Sequence, residues 1–80
     1  MTVNILAFGI ARDIVGGSSL RIEVGDAATV GELKAVLEER YPALRQLASL
    51  LIAQDAEFAS PADPLRQGSE LALIPPVSGG

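Results

Sequence analysis

The 80-residue sequence contains no cysteine and no histidine. Without thiols the chain forms no disulfide bond and offers no thiolate nucleophile. It also lacks the ligands of a Cys/His zinc site and the usual general base for a serine nucleophile. We therefore expect no metal site and identify no catalytic side chains, which leaves open whether the chain is an enzyme in its own right.

Basic residues and long apolar runs are also scarce. Six lysines and arginines stand against ten acidic residues, a formal net charge of −4. A nucleic-acid partner needs a basic face, so this balance argues against one. No apolar stretch approaches the ~18 residues of a membrane span and no signal peptide is visible, so we expect no membrane association. The default expectation is a cytoplasmic protein.

Hydrophobic residues, in contrast, make up 49% of the chain, which is enough to form a core. We expect one domain over residues 1–80. Residues 2–9 are rich in apolar and β-branched side chains and predict a first strand. Residues 20–24 alternate strictly between apolar and polar side chains and predict a half-buried second strand. The two strands predict a hairpin, with a single helical turn at residues 11–15 between them.

The clearest helix follows this hairpin. Thr29 and Glu32 have the spacing of a capping box, in which the threonine hydroxyl caps the first turn. Pro42 ends the helix, because proline cannot continue the hydrogen-bond ladder. One face of this helix is apolar, at Val30, Leu33, Leu37 and Tyr41, with Val36 beside it.

The second half of the chain predicts three more strands and one short helix. Asp63 as N-cap, Pro64 at the first helical position and Gly68 at the end predict one helical turn. Residues 43–50 combine helical spacing with an apolar run of strand length and favour neither. The strands are predicted at residues 50–53, 57–59 and 70–74.

This order of elements predicts an α+β fold, with a mixed sheet of four to five strands packed on one main helix. A single helix covers one face of the sheet and leaves the other without cover. Strand parity puts Leu71 and Leu73 on the helix side and Ile74 on the opposite side. Phe8 has the parity of Leu6, so it is also predicted on the uncovered face. An exposed apolar patch there would indicate a protein interface.

The last six residues, 75–80, predict a projecting segment that we call the tail. Pro75-Pro76 favours an extended path and ends sheet pairing, because proline has no N–H to donate. From Pro75 the tail would reach roughly 20 Å at ~3.3 Å per residue. Gly79-Gly80 buries no side chain, so folding gives no reason for this ending. A thin terminus that enters the active site of another protein does give one.

Together these features resemble the small subunits of molybdopterin synthase, which are sulfur carriers of the MoaD/ThiS group with the ubiquitin-like β-grasp fold. The resemblance covers the whole chain, and its most specific part is the tail. One departure is the turn at Gln54-Asp55-Ala56, which lacks the glycine that a type I′ turn favours. The matching features are the ββαββ order, the length, Ala11-Arg12-Asp13, Gly16, Asp63-Pro64-Leu65, Gly68-Ser69-Glu70-Leu71 and Pro75-Pro76-Val77-Ser78-Gly79-Gly80.

The resemblance implies a function in which the chain supplies a reacting terminus. An activating enzyme would adenylate the Gly80 carboxylate with ATP, and a sulfur-donating enzyme would help convert it to a thiocarboxylate. The tail, Pro75, Pro76, Val77, Ser78 and Gly79 included, would then enter the large synthase subunit, within a heterotetramer. There sulfur would pass to a cyclic pterin precursor. No cofactor would be bound permanently, and ATP would be consumed at Gly80.

The resemblance also implies that Phe8, Phe58 and Ile74 contact the large subunit, in agreement with the uncovered sheet face. Three other functions stay open. The first is a sulfur carrier for thiazole, thiamine or cysteine synthesis. The Gly-Gly end supports this function equally well, although Pro75-Pro76-Val77-Ser78 disfavours it. A ubiquitin-like modifier that forms isopeptide bonds through Gly80 is the second. A plain binding module with an inert tail is the third.

Overall fold

A computed structural model describes residues 1–47 and 50–75. Two α-helices, one 3-10 helix and five strands are found in these residues. Strand β1 is followed by helix α1, strand β2, helix α2, the 3-10 helix and strands β3, β4 and β5. Their bounds are Thr2–Ala7 for β1, Gly9–Val15 for α1, Ser19–Glu23 for β2, Val30–Arg40 for α2, Pro42–Gln46 for the 3-10 helix, Leu51–Gln54 for β3, Glu57–Phe58 for β4 and Leu71–Ile74 for β5.

The five strands form one mixed sheet in the order β2-β1-β5-β3-β4. The first and last strands are parallel neighbours, with Ile5 opposite Leu71 and Ala7 opposite Leu73. The pairs β1–β2, β3–β5 and β3–β4 are antiparallel. A mixed sheet packed on one main helix confirms the predicted β-grasp fold.

Helix α2 begins and packs as its sequence predicts. The backbone N–H of Glu32 donates to the Thr29 hydroxyl at 3.2 Å, which is the N-cap half of the capping box. The Glu32 side chain also pairs with Thr29, because its carboxylate accepts a hydrogen bond from the Thr29 hydroxyl at 3.4 Å. Tyr41 follows the last helical residue, and Pro42 begins the 3-10 helix. The helix buries Val30, Leu33 and Leu37 against a sheet face that includes Val3, Ile5, Ile22, Ile52, Leu71 and Leu73.

The helical turn predicted at residues 63–68 is wrong, because these residues run beside the start of α2 instead. Pro64 forms an isolated bridge with Thr29. The Val30 N–H donates to the Asp63 carbonyl at 2.9 Å, and the Leu65 N–H donates to the Ala28 carbonyl at 3.0 Å. The first N–H groups of a helix have no partner within it, and this loop supplies one to Val30. The backbone groups of residues 63–65 are therefore engaged by a neighbouring element.

The first strand ends earlier than predicted, at Ala7 rather than residue 9. Phe8 keeps an extended backbone (φ −128°, ψ 157°) but is the N-cap of α1, and its carbonyl accepts from Ala11 and Arg12. Gly9 then turns the chain with φ +54°. The predicted helical turn is thus a seven-residue helix that starts at Gly9 and takes the end of the predicted strand.

The β3–β4 turn has the left-handed pair of a type I′ hairpin although it contains no glycine. Asp55 has φ 53° and Ala56 has φ 68°. Aspartate tolerates this region, whereas alanine is disfavoured there by about 1–2 kcal/mol. The unusual sequence of this turn therefore changes its cost and not its geometry.

We expect Ala56→Gly to stabilise the protein by about 1 kcal/mol, because glycine removes the left-handed penalty at this position. Chemical denaturation measures the change in the free energy of unfolding. Ala62→Gly is a matched control, because Ala62 is an exposed turn residue without positive φ. The control substitution should be neutral or destabilising, since it only adds freedom to the unfolded chain. Equal effects at both positions would contradict the strained turn.

Candidate functional site

The sheet face opposite α2 carries a row of apolar side chains that crosses four strands. Leu6 pairs with Ala72, Ala72 with Ala53, and Ala53 with Phe58. A second row lies toward the C-terminal end of β5, where Ile74 pairs with Leu51. Phe8, one residue beyond the last β1–β5 pair and still extended, comes level with Ile74. We call this set of residues the apolar patch: Leu6, Phe8, Leu51, Ala53, Phe58, Ala72 and Ile74.

The large side chains of the apolar patch are well exposed. Phe58 is 69% exposed, Phe8 49%, Leu51 46% and Leu6 37%. Ile74 is half-buried. Single exposed apolar residues are normal on protein surfaces, but a contiguous group of this kind is typical of a binding surface. The face left uncovered by the single helix is thus suited to a protein partner.

The apolar patch does not cover the whole open face. The other half of the open face, on β2 and the start of β1, is polar, and its side chains hydrogen-bond to one another. Arg21 donates through Nε to the Asn4 side-chain oxygen at 3.3 Å. Thr2 donates through its hydroxyl to Glu23 at 3.3 Å. A partner that needs an apolar surface therefore docks toward β5, β3 and β4.

Strand β5 ends at the edge of this patch. Ile74 belongs to the patch, and Pro75 is the last residue of the structure's second described range. Because β1 and β5 are parallel, Gly9 comes level with Pro75 two residues beyond the last pair. The predicted tail residues Pro76, Val77, Ser78, Gly79 and Gly80 lie outside the described residues. The structure therefore places the three predicted interface residues on one sheet face, and Ile74 lies next to the base of the tail.

Sequence reasoning named Phe8, Phe58 and Ile74 as contacts on this surface. Parity also put Leu6 and Ala72 on this face, without naming them as contacts, whereas Leu51 and Ala53 were missed. The signal for Leu51 and Ala53 was parity, since Ile52 between them faces the core. The sequence did not decide between helix and strand for residues 43–50. The start of β3, and therefore which of its side chains face the core, could not be predicted. The pairing of Ala53 with Phe58 and Ala72 needs the sheet register, which no local pattern contains.

A polar cluster lies at the opposite end of β3 from the tail. Gln54 is 5% exposed, and its side-chain oxygen accepts from the Arg66 N–H at 3.0 Å and the Ser69 hydroxyl at 2.9 Å. Next to it, Arg66 donates to the Asp55 carboxylate at 2.8 Å, and the Glu70 N–H donates at 3.0 Å. The Arg66 hydrogen bond, then the Glu70 N–H, lowers the pKa of Asp55. These bonds hold the hairpin and the loop before β5.

The lowered pKa of Asp55 predicts acid-sensitive stability. A folded-state pKa below the unfolded value gives stability that is present above the unfolded pKa and is lost as pH falls through the folded one. We expect the stability advantage of the wild type over Asp55→Asn to shrink as pH falls below the usual aspartate value of about 3.9. Asparagine also tolerates the left-handed turn, so the backbone is preserved.

Thermal unfolding across this acid range measures the effect. A constant gap between wild type and Asp55→Asn at every pH would contradict the role of the Asp55 charge.

Two negative findings concern the part of the chain that the structure describes. Within residues 1–47 and 50–75, no three acidic, cysteine or histidine side chains come together in a way that would hold a metal ion. In the same residues, no helix is long and apolar enough to cross a membrane. The surface that the described residues do present is the apolar patch beside the base of the tail.

Comparison with known proteins gives a consistent family. The ThiS family matches residues 5–80. The molybdopterin synthase sulfur carrier subunit of Caenorhabditis briggsae is 36% identical over 83 aligned residues, which cover 100% of this chain and 99% of that protein. The small archaeal modifier protein 1 of Haloferax volcanii is 30% identical over 82 aligned residues, covering 91% of this chain and 94% of that protein.

Solved structures show the same fold. The crystal structure of SAMP1 from Haloferax volcanii superposes with a TM-score of 0.83 at 29% identity, with complete coverage of both chains. The complex of subunits 1 and 2 of the molybdopterin-converting factor from Helicobacter pylori contains a chain that matches with a TM-score of 0.68 at 27% identity, again over both chains in full.

Proposed function

Because the chain belongs to the ThiS family, we propose that it is the sulfur carrier subunit of a molybdopterin synthase. One structural observation carries the proposal beyond family membership. The apolar patch includes Ile74, and the tail begins at the next residue. A partner that docks on the patch is therefore placed where the C-terminus can reach its active site.

The first chemical step activates the Gly80 carboxylate, which is a poor electrophile. An activating enzyme joins it to the α-phosphate of ATP, so that an acyl–AMP bond forms and pyrophosphate leaves. A sulfur-donating enzyme then supplies sulfur at the oxidation level of hydrosulfide. The sulfur attacks the acyl carbon, the carbon–oxygen bond to AMP breaks, and the product is a thiocarboxylate with release of AMP and a proton.

The second step transfers this sulfur. The thiocarboxylate sulfur is a good nucleophile and forms a carbon–sulfur bond with a carbon of the cyclic pterin precursor, while the carbon–oxygen bond at that carbon breaks and the oxygen leaves with its electron pair. Water then cleaves the acyl–sulfur bond and returns the Gly80 carboxylate. Two such transfers give the dithiolene that holds molybdenum or tungsten. Acid and base groups come from the large subunit, which agrees with the absence of histidine and cysteine from this chain.

The partner surface of this function is the apolar patch, with Phe8, Phe58 and Ile74 as its proposed contacts. Complementary support comes from the Helicobacter pylori protein, whose structure is described as a complex of subunits 1 and 2. Gly79 keeps the segment behind the terminus narrow, since a Cβ there would widen it. Val77 and Ser78 contact the channel of the partner, and Pro75-Pro76 directs the tail into it.

Reconstitution tests the pathway. The chain, thiocarboxylated at Gly80 and mixed with a molybdopterin synthase large subunit and the cyclic pterin precursor, should yield molybdopterin. The same thiocarboxylate should support thiazole formation by a thiazole synthase poorly, because tails are selected by clashes with the wrong channel as well as by fit to the right one. Thiazole formation without any molybdopterin would move the protein to the thiamine branch.

Intact-mass measurement of the protein from its own host tests the chemistry separately, because exchange of oxygen for sulfur at the terminus changes the mass.

A second candidate function is protein modification, favoured by the likeness to the Haloferax volcanii modifier. In that case Gly80 forms isopeptide bonds, and high-mass conjugates accumulate in cells. The chain itself contains one lysine, Lys34, so Lys34→Arg distinguishes conjugates between copies from conjugates to other proteins.

A further inference from the structure

Gly9 and Pro75 approach each other where β1 and β5 end. A Cβ built on Gly9 would lie 3.3 Å from the Pro75 Cγ, which is tighter than nine in ten real Cβ contacts. Gly9 also has φ +54°, a region that side-chain-bearing residues rarely adopt. Two independent conditions, a left-handed backbone and a close neighbour, therefore favour glycine at this position.

The strand pairing ends just before the base of the tail. The last β1–β5 pair is Ala7 with Leu73, and the last β3–β5 pair is Leu51 with Ile74. Pro75 has no N–H, so it cannot extend the ladder by donating a hydrogen bond. Its orientation then depends on the fixed proline φ and on the atoms packed against its ring. Gly9 supplies such a contact.

We propose that Gly9 is a positioning residue for sulfur transfer, because it lets Pro75 close against the end of β1 and so sets the direction in which the tail leaves the sheet. This inference rests on the proposed function. It adds a residue that lies outside the tail and outside the apolar patch. Gly9 touches no reacting atom, and it acts through Pro75.

The length of the tail makes this direction important. An alanine at position 9 forces its neighbour to give by a few tenths of an ångström. Over one residue rise of ~3.3 Å this corresponds to a tilt of about 5° at Pro75, and the five-residue extended tail that the proposed function requires would carry it to roughly 1.5 Å at its end. A misplacement of about 1 Å in a reacting group can lower a rate by about a hundredfold.

The chain offers matched controls for this contact. Gly16 has φ +84° and Gly68 has φ +81°, and a Cβ at either position meets nothing within 4 Å. Alanine at position 16 therefore introduces the same kind of backbone strain as alanine at position 9, without pushing on Pro75. The difference between the two variants isolates the contact from the strain.

The experiment compares Gly9→Ala with Gly16→Ala, each as a thiocarboxylate, with the large subunit and the cyclic pterin precursor. At saturating large subunit, the single-turnover rate of Gly9→Ala should fall by about tenfold or more. Its Kd for the large subunit should stay within about twofold of wild type, because the apolar patch is unchanged. Gly16→Ala should leave both quantities near wild type. A merely structural defect would not separate rate from affinity in this way.

A double-mutant cycle identifies Pro75 as the group that Gly9 acts on. Pro75→Ala removes the Cγ that meets the new side chain, whatever its own effect on the rate. In that background, adding Gly9→Ala should cost no more than Gly16→Ala does in the wild type. If Gly9→Ala folds poorly, Gly9→Asn replaces it, since asparagine tolerates the left-handed region and carries the same Cβ.

Three outcomes would overturn the inference. The first is that Gly9→Ala transfers sulfur as fast as Gly16→Ala. The second is that the rate loss caused by Gly9→Ala persists undiminished in the Pro75→Ala background. The third is that NMR of the free protein shows no nuclear Overhauser effect between the Gly9 α-protons and the Pro75 ring. The last measurement needs no sulfur chemistry. Wild-type protein that yields no molybdopterin would instead remove the proposed function itself, and with it the positioning role of Gly9.

Discussion

We expect deletion of Gly80, or addition of one residue after it, to abolish sulfur transfer while the melting temperature barely changes. Deletion of Gly80 would leave the carboxylate on Gly79, one residue short of the reacting position, and a longer tail would carry its carboxylate past that position. Glycine has no side chain to bury, so little folding energy depends on it. Molybdopterin formation in the reconstituted system and thermal unfolding of the free chain measure the two effects.

The same variants separate the carrier from a plain binding module. Both should bind the large subunit through the apolar patch, so loss of transfer with retained binding isolates the terminus as the reacting group. An inert tail predicts no loss at all. Full activity of an extended variant, with mass spectrometry showing that the extra residue is still attached, would refute the thiocarboxylate proposal.

We expect a charge placed in the apolar patch to weaken binding to the large subunit by about a hundredfold. In the proposed interface Phe8→Asp, Phe58→Asp and Ile74→Asp would each bury an unpaired carboxylate, which costs on the order of 3 kcal/mol. In the free protein the phenylalanines are 49% and 69% exposed, so the same charge there stays in water and costs little. Calorimetric titration measures Kd, and chemical denaturation measures the free energy of unfolding.

Asn4→Asp is the matched control for this series. It adds the same charge to the same open face, but on the polar half, where the new carboxylate can still accept from Arg21. Its effect on Kd should be small. If a patch variant unfolds the free domain instead, that residue contributes to the core. Among the three residues, Ile74 is the one for which we most expect this outcome, because its side chain is half-buried.

Much of the fold was legible in short stretches of sequence. The span and buried face of α2 follow from Thr29, Glu32, Pro42 and the apolar spacing, since caps and helical periodicity act within a few residues. The alternation at residues 71–74 gave the correct faces of the last strand. Family membership was also predicted from the sequence, because residues Pro75–Gly80 form a specific motif of adjacent residues.

Local pattern failed where backbone groups found distant partners. Residues 63–68 carry helix start and stop signals, yet Val30 at the start of α2 takes the Asp63 carbonyl and Leu65 takes the Ala28 carbonyl. The β3–β4 turn keeps a type I′ backbone without glycine, fixed by strands on both sides. In each case hydrogen bonds to another element outweighed a preference of a few tenths to about 1–2 kcal/mol.

The sequence alone therefore determined the class of fold, the main helix and the family, all of which depend on patterns of neighbouring residues. Tertiary structure decided which surface lies beside the base of the tail. The apolar patch exists because register aligns Leu6, Ala72, Ala53 and Phe58 across four strands. The contact between Gly9 and Pro75 exists because the first and last strands are parallel neighbours. Pairing of residues sixty-odd positions apart is a property of the assembled sheet, since no local periodicity specifies which strands become neighbours.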